Sequence, residues 1–97
     1  MSATAIDAIV HHDADDVAVM VLGGLGAGAS LRCWSMDQDE VSTILLRQAV
    51  PFGHKVAVRA IAKGERVVKY GAPIGEASAA IEAGDHVHVH NLRSLRW

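Results

Sequence analysis

Side chains that can transfer protons or bind ligands are concentrated between residues 50 and 91 of this 97-residue sequence. Imidazole changes its charge near neutral pH and is a common metal ligand, and a lysine ammonium group is a suitable partner for a carboxylate. We therefore expect this half of the chain to carry the chemistry and the first half to support it. The candidates are His54 and Lys55 in a Gly-His-Lys step, Lys69 and Tyr70 in a Lys-Tyr-Gly step, and His86, His88, His90 and Asn91 in one histidine-valine run.

The histidine-valine run is predicted to be a β-strand. Alternation along a strand would place His86, His88 and His90 on one face, with their Cα atoms about 6.5–7 Å apart, and the two valines on the other. Three imidazoles on one face could bind a metal ion or act as general bases. The competing interpretation is a half-exposed strand whose solvent face happens to be histidine, because same-face strand residues rarely converge on one ion without a further ligand.

The Gly-His-Lys and Lys-Tyr-Gly steps supply candidates that could meet this strand. His54 is predicted to begin a strand at a point where the preceding Gly53 allows close approach of another backbone. Lys55, Lys69 and Tyr70 could hold a carboxylate substrate or donate protons. For either lysine alone, a solvated charge at a strand end is the more common role.

Two further residues in the first half have chemical potential. His12 precedes Asp15 and Asp16, and together they form a candidate metal-ligand set. Aspartates in a turn between strands more often cap backbone groups, so this alternative stays open. Cys33 has no adjacent base and is interpreted as a small buried hydrophobe.

Short strands joined by turns are the elements that must position these residues. Strands are predicted at residues 5–11, 17–22, 31–34 and 43–50, then at 55–61 and 66–70 as a hairpin around a Lys-Gly-Glu turn, and at 86–90. Further turns are predicted at 71–75 and 83–85, with a short element between them. The apolar run 17–22 is expected to be buried on both faces, and 43–50 fits a helix almost as well as a strand. Without a convincing long helix, the pattern predicts a compact all-β or β-rich barrel.

A glycine-rich segment, with glycines at 23, 24, 26 and 28, invites comparison with phosphate-binding loops. No Gly-Lys-Ser/Thr ending follows it, and no amphipathic helix begins there. A flexible connection whose glycines adopt positive φ is the better interpretation.

Composition narrows the function classes. The chain is 51% hydrophobic and 21% charged, with a formal net charge of -2, which indicates one globular domain without the basic stripe that nucleic acids require. A single cysteine and the lack of a signal-peptide pattern favour the cytoplasm, and the longest apolar run is too short to span a membrane. The core is built mostly from small aliphatic residues, which favours a partner surface or self-association.

Taken in order, five segments resemble the N-terminal region of the altronate and galactarate dehydratase family, a SAF-type β-clip domain, over nearly the whole chain. The combination of Gly-His-Lys, Lys-Tyr-Gly and the histidine-asparagine run carries most of the specificity. One departure is visible, because the family usually has Asp-Asn where this chain has Asp15-Asp16. The segments are His12–Val19, Gly53–Lys55, Ile61–Glu65, Val68–Gly75 and Gly84–Asn91.

The resemblance implies one SAF-like domain over residues 1–97 and a role in β-elimination of water from a sugar acid. Because only residues 92–97 follow the histidine-asparagine run, we expect a separate small subunit that acts with a large catalytic subunit, as in two-component altronate dehydratases. The related sulfolactate sulfo-lyases, which release sulfite, provide an alternative. A divalent metal, iron or manganese, is implied as a cofactor shared with the large subunit.

The resemblance and the strand alternation together imply the site residues. His54, Lys55 and His88 are expected in catalysis, Lys69, Tyr70 and Asn91 in substrate binding, and His12, His86, His88 and His90 in metal binding. The role of each imidazole is left open. A rival hypothesis is a non-catalytic SAF-type module that binds a sugar acid or serves as a scaffold. A stand-alone hydrolase is disfavoured, because no Ser/His/Asp or Cys/His signature is present.

Overall fold

Nine short β-strands form the regular structure of residues 6–23 and 25–94. The computed structural model describes residues 6–23 and 25–94, and these residues contain no helix. The all-β class predicted from the turn signals is confirmed. The strands are β1 (Ala8–Val10), β2 (Val17–Met20), β3 (Ser30–Ser35), β4 (Glu40–Leu45), β5 (Lys55–Ala57), β6 (Arg66–Lys69), β7 (Ala72–Ala77), β8 (His86–Val87) and β9 (Leu92–Ser94).

The strands are divided between two sheets. One sheet has six strands in the order β4-β3-β1-β2-β5-β8, and the other has three in the order β6-β7-β9. Neighbouring strands are antiparallel except β1 and β3, which run parallel. Strands β4 and β8 therefore occupy opposite edges of the larger sheet.

Two hydrophobic clusters lie on either side of β2 and β5. In β5, Val56 packs into the first cluster and Ala57 into the second, as strand alternation requires. In β2, Val17 belongs to the second cluster, whereas Ala18 and Met20 belong to the first. The prediction that residues 17–22 are buried on both faces is confirmed for β2 but not for Leu22, which is 43% exposed, and side chains of β5 reach both halves of the molecule.

Cys33 belongs to the first cluster and is 2% exposed. Burial raises the pKa of its thiol to about 11. The interpretation of Cys33 as a small buried hydrophobe is confirmed, because a thiol with such a pKa is almost fully protonated at neutral pH.

The predicted hairpin between residues 55–61 and 66–70 is wrong. Strand β5 pairs with β2 and β8, and β6 pairs with β7. The Lys-Gly-Glu turn does form, with the Glu65 amide donating to the Ala62 carbonyl at 3.0 Å. However, Ile61 has by then left β5 and bridges to Ile81. The turn therefore leads the chain from one sheet to the other.

The hairpin of this region is formed instead by β6 and β7, so the predicted turn at 71–75 is too long. Lys69 pairs with Ala72, which leaves a two-residue loop of Tyr70 and Gly71. Their φ angles are 54° and 71°, and positive φ at both positions is characteristic of a type I′ turn. Gly75 lies within β7, where an added Cβ would overlap the carbonyl oxygen of Arg93 in β9.

The predicted strand at 86–90 is also wrong beyond Val87. The Asn91 amide donates to the His88 carbonyl at 3.0 Å, which closes a turn over residues 88–91. The alternating sequence is compatible with a strand, but Asn91 stabilises the turn with its side chain, as described below.

The remaining strand boundaries agree with the predictions only in part. The predicted strand at 43–50 is correct in type only up to Leu45, where β4 ends. Among the described glycines of the 23–28 segment, Gly28 has a positive φ of 87°. Ala5, where the first strand was predicted to begin, and Gly24 lie outside the described residues. In the described part of the chain, no helix is long and apolar enough to cross a membrane.

Candidate functional site

Four imidazole rings meet at the β8 edge of the larger sheet, and we call them the imidazole cluster. The ring centroid of His54 is 5.0 Å from that of His86 and 4.6 Å from that of His88. The His86 centroid is 5.3 Å from that of His88 and 5.5 Å from that of His90. The predicted meeting of His54 with the histidine-valine run therefore occurs, although a turn rather than strand alternation brings these side chains together.

A tight turn positions His54. The His54 amide donates to the Pro51 carbonyl at 3.0 Å, and Gly53 has a φ of 80°, as the third position of a type II turn requires. The His54 carbonyl then accepts the Met20 amide at 2.9 Å, which ties the turn to β2. An added Cβ on Gly53 would meet nothing within 4 Å, so the expectation of close backbone approach is wrong. Gly53 serves the turn through its φ angle.

The side chain of Asn91 holds the backbone of His86 and His88 in place. Its side-chain amide donates to the His86 carbonyl at 2.9 Å, and its carbonyl oxygen accepts the His88 amide at 2.9 Å. The residue is 7% exposed. Both polar groups of Asn91 are thus committed to the turn, and we interpret it as a positioning residue rather than a direct substrate ligand.

Gln48 is a second positioning residue, and it is not among the residues predicted from the sequence. Its side-chain oxygen accepts the His86 amide at 2.9 Å. The neighbouring Arg47 pairs with Asp85 at 3.0 Å, so the segment after β4 lies alongside β8. No local signal in the sequence indicates this role, because Gln48 and His86 are 38 residues apart.

The surroundings of His86 within the imidazole cluster change its pKa. His54 Nδ1 and His86 Nε2 are 2.9 Å apart, so one of the two nitrogens donates to the other. Burial lowers the pKa of His86, and the other three imidazoles of the cluster lower it further. His86 is therefore predominantly neutral at pH 7, and the cluster can accept a proton.

The same rings offer metal ligands. One nitrogen each from His54, His86 and His88 lie within 4.8 Å of one another, and this is the group in the described part of the chain that could hold an ion. Metal–imidazole bonds are about 2.1 Å long, so ligand nitrogens on one ion are about 3–4 Å apart. The donor type and the spacing of these nitrogens therefore fit a bound metal ion. An all-imidazole donor set suits iron better than manganese, which prefers oxygen ligands.

Lys55 lies on the opposite face of β5 from the contact between His54 and His86. Within the β5–β8 pair, His86 is opposite Val56, whereas Lys55 is opposite Val87. Directly opposed residues share a face, so consecutive residues of β5 belong to different faces. His88 connects the two sides, because it stacks on His54 and also lines a cavity with Lys55.

Lys69 and Tyr70 lie at the β6–β7 turn, away from the imidazole cluster. The Tyr70 hydroxyl is 3.3 Å from His11 Nε2, and the two rings stack with centroids 4.3 Å apart. Lys69 Nζ is 5.0 Å from the centroid of the Tyr70 ring. Burial lowers the pKa of Lys69, the charge of Lys55 lowers it further, and Asp15 opposes both. The two lysines therefore lie close enough to repel each other.

Buried carboxylates hold this turn, and we call Asp15 and Asp16 the aspartate corner. The Asp15 carboxylate accepts the Gly71 amide at 2.9 Å and the His12 amide at 3.2 Å, and the residue is 1% exposed. Asp16 accepts the Val68 amide at 2.9 Å. The capping role considered for these aspartates is observed. The resemblance implies that asparagine is usual at the position of Asp16. In this chain the Asp16 carboxylate accepts the Val68 amide, so the contact is made by an acceptor oxygen.

His12 belongs to the aspartate corner and not to the imidazole cluster. Its Nδ1 accepts the Ala14 amide at 3.0 Å. Its ring lies 3.1–3.3 Å from the position that a Cβ on Gly71 would take. The structure therefore does not bring His12 to the other predicted metal ligands. His90, in contrast, lies beside His86 but outside the closest group of three.

A family model described as the altronate/galactarate dehydratase SAF domain matches residues 6–95. The chain belongs to this family. The resemblance predicted from the five sequence segments is confirmed, and the all-β structure agrees with the SAF-type β-clip fold.

Individual relatives differ in how much of their length this chain spans. It is 44% identical over 93 residues to the (2R)-sulfolactate sulfo-lyase subunit alpha of Chromohalobacter salexigens, covering 96% of this chain and 99% of that protein. It is 49% identical over 83 residues to the altronate dehydratase of Escherichia coli, covering 86% of this chain but only 15% of that protein. The altronate dehydratase of Bacillus subtilis is 34% identical, with the same coverage.

Proposed function

We propose that this chain is the small subunit of a lyase that acts with a separate large subunit to eliminate water or sulfite from a hydroxy acid. The observation that carries the proposal is the imidazole cluster, which backbone contacts hold in place at one sheet edge. The relatives support it, because they include a sulfo-lyase subunit alpha of matching length and dehydratases that are much longer than this domain.

Elimination breaks the C–H bond next to the carboxylate and the bond between the next carbon and the leaving group. A base takes the proton, and the C–H electron pair becomes the new C=C bond. The leaving group departs with its own bonding electrons, as sulfite or as a hydroxide that takes up a proton. Such a reaction requires a base that titrates near pH 7 and positive charge beside the substrate carboxylate.

His88 is the best placed base of the cluster. It is exposed, it stacks on His54, and it borders the cavity that contains Lys55. The hydrogen-bonded pair of His54 and His86 supports its orientation and can share a proton. Lys55 and Lys69 supply the positive charge for the carboxylate. Tyr70 lies beside Lys69. The family resemblance implies that Tyr70 contacts the substrate, and the proposal keeps this role.

A divalent ion, iron in preference to manganese, is proposed for the nitrogens of His54 and His86, with a large-subunit residue completing the set so that His88 stays free to act as the base. When bound, it would supply positive charge that stabilises the negative charge developing on the carboxylate. Metal analysis of the purified chain and of the complex tests this assignment without reference to turnover. Replacing His86 with alanine should lower the bound iron in that analysis.

Sulfite is the better supported leaving group. The sulfolactate relative matches this chain from end to end, whereas the altronate dehydratases match over a small part of their length. Loss of water from a sugar acid is the second candidate, because the chain is 49% identical over 83 residues to an altronate dehydratase segment.

Reconstitution tests the proposal against the scaffold hypothesis. The chain is assayed alone and with the large subunit encoded beside it, on (2R)-sulfolactate and a panel of sugar acids with ferrous or manganous ion. We expect turnover only in the mixture. The His88→Ala chain should assemble normally but lower kcat by about 10²–10⁴-fold.

Glu40→Ala is the matched control, because Glu40 is exposed on β4 at the opposite edge of the larger sheet. It should leave both assembly and turnover unchanged. Full activity of the His88→Ala complex would contradict a catalytic role and favour the scaffold. The single domain over residues 1–97, the cytoplasmic location and self-association remain predictions.

A further inference from the structure

A cavity of about 410 Å³ lies beside the imidazole cluster, between β5, the 88–91 turn and β9. Its apolar wall consists of Val87, Val89 and Leu92, and its polar wall includes Lys55, His88 and Arg93. None of the lining residues carries a carboxylate. The cavity therefore combines cationic side chains with an apolar wall, which is the usual character of a small-ligand site.

The positive charges of this cavity are only weakly neutralised. Among the ion pairs of the described residues, none involves Lys55. Arg93 Nη1 is 4.0 Å from Glu76 Oε1, and both side chains are largely exposed, at 68% and 44%. Exposed pairs at this distance contribute little and are readily replaced. An anion that enters the cavity therefore competes only with Glu76, and only for Arg93.

The fold fixes the positions of the two cations. Lys55 is opposite Val87 in the β5–β8 pair. Arg93 is opposite Glu76 in the β7–β9 pair, and the close packing of Gly75 against the Arg93 backbone sets the separation of those strands. Each sheet therefore contributes one cationic residue to the lining of this cavity, and Arg93 also borders a second cavity that it shares with Glu76.

We propose that this cavity binds a small oxyanion, a carboxylate or sulfonate group of the substrate, through Lys55 and Arg93. Arg93 has no role in any of the functions considered above, and its guanidinium can donate two parallel hydrogen bonds to either group. The inference rests on the proposed function and adds a binding residue to it. His88 borders both the cavity and the imidazole cluster, so an anchored substrate would present its reacting carbons to that imidazole.

Binding is measured by NMR titration of the full chain with sulfoacetate, an unreactive molecule that carries one carboxylate and one sulfonate. We expect shifts of the Lys55, His88 and Ser94 amide signals. Arg93→Gln should weaken binding by about tenfold to hundredfold. The matched control is Arg32→Gln, because Arg32 is exposed on β3 and does not line this cavity. It should bind sulfoacetate like the parent chain.

Equal affinity of the Arg93→Gln and parent chains, or shifts confined to another surface, would overturn the inference. The same variants are then assayed as reconstituted complexes, where Arg93→Gln should raise KM by a similar factor with a smaller change in kcat. The titration does not depend on turnover. An inactive complex with intact sulfoacetate binding would therefore contradict the proposed lyase while leaving the anion site in place.

Discussion

The imidazole cluster and the aspartate corner both gather titratable side chains from distant parts of the chain, but they use them differently. In the aspartate corner, the Asp15 carboxylate accepts two backbone amides and is almost fully buried. In the imidazole cluster, the ring nitrogens of His54 and His86 face each other, and His88 is exposed. Committed acceptors maintain structure, whereas groups that face one another and solvent remain available for chemistry.

The contrast extends to the histidines themselves. His12 accepts a backbone amide through Nδ1 and packs against Gly71, so it is part of the structural region despite its residue type. In the cluster, Gln48 and Asn91 hold His86 and His88 through their backbones, so their rings are not used to bind the backbone. The surroundings of a histidine, more than its position in a motif, therefore distinguish the two roles.

The largest effect should follow from removal of His54. In the reconstituted complex, His54→Ala should lower kcat by about 10²–10⁴-fold, because the stacked and hydrogen-bonded partner of His86 and His88 is lost. Thermal unfolding should change little, since the ring is only partly buried. Steady-state kinetics and the Tm of the same preparation check both statements. If His54→Ala lost as much stability as we expect for Asp15→Asn, the distinction between the imidazole cluster and the aspartate corner would be contradicted.

Asp15→Asn should act on stability. One carboxylate oxygen becomes an amide group that cannot accept a backbone N–H, so a buried donor loses its partner. We expect a loss of about 2–3 kcal/mol in unfolding free energy, and about 10–20 °C in Tm. Asp13→Asn, at an exposed position of the same turn, should change stability by less than about 0.5 kcal/mol. Urea unfolding of both variants provides the measurement.

Gly71→Ala should also lower the free energy of unfolding, but by less than Asp15→Asn. The residue has a φ of 71°, and the new methyl group would meet the His12 ring at 3.1–3.3 Å. A left-handed conformation costs about 1–2 kcal/mol in a residue with a side chain. Gly26→Ala is the control, because Gly26 has open space around it. An unfolding free energy for Gly71→Ala equal to that of the control would show that the turn adapts.

The smallest expected effect is the dependence of folding stability on pH that comes from His86. The pKa of His86 is lowered in the folded chain, so below its ordinary value of about 6.5 the unfolded chain binds more protons. The His86 contribution to stability should therefore decrease as pH falls from 7.5 through 6.5. Unfolding curves of the parent and of His86→Gln across this range report that contribution by difference. A parent that loses no more stability than the variant would be inconsistent with the shift.

Local features were predictable from the sequence, and distant pairings were not. The strand type of 17–20 and the burial of Cys33 follow from apolar runs, which depend on neighbouring residues only. The hairpin error arose because alternation in β5 and β6 identifies strands without identifying their partners. Gln48 and Arg93 were missed for the same reason, since each acts on residues brought near by sheet pairing. The 88–91 turn depends on the side chain of Asn91, which strand periodicity does not represent.

The double contact of Asn91 has a consequence for biosynthesis. His54 and His86 are 32 residues apart, and the turn that carries His88 cannot close until Asn91 has been added to the growing chain. A nascent polypeptide therefore contains the histidine of the Gly-His-Lys step well before it contains a cluster. A binding partner that recognises the assembled imidazoles would engage only molecules in which β5 and β8 have already paired, which makes recognition itself a check on folding.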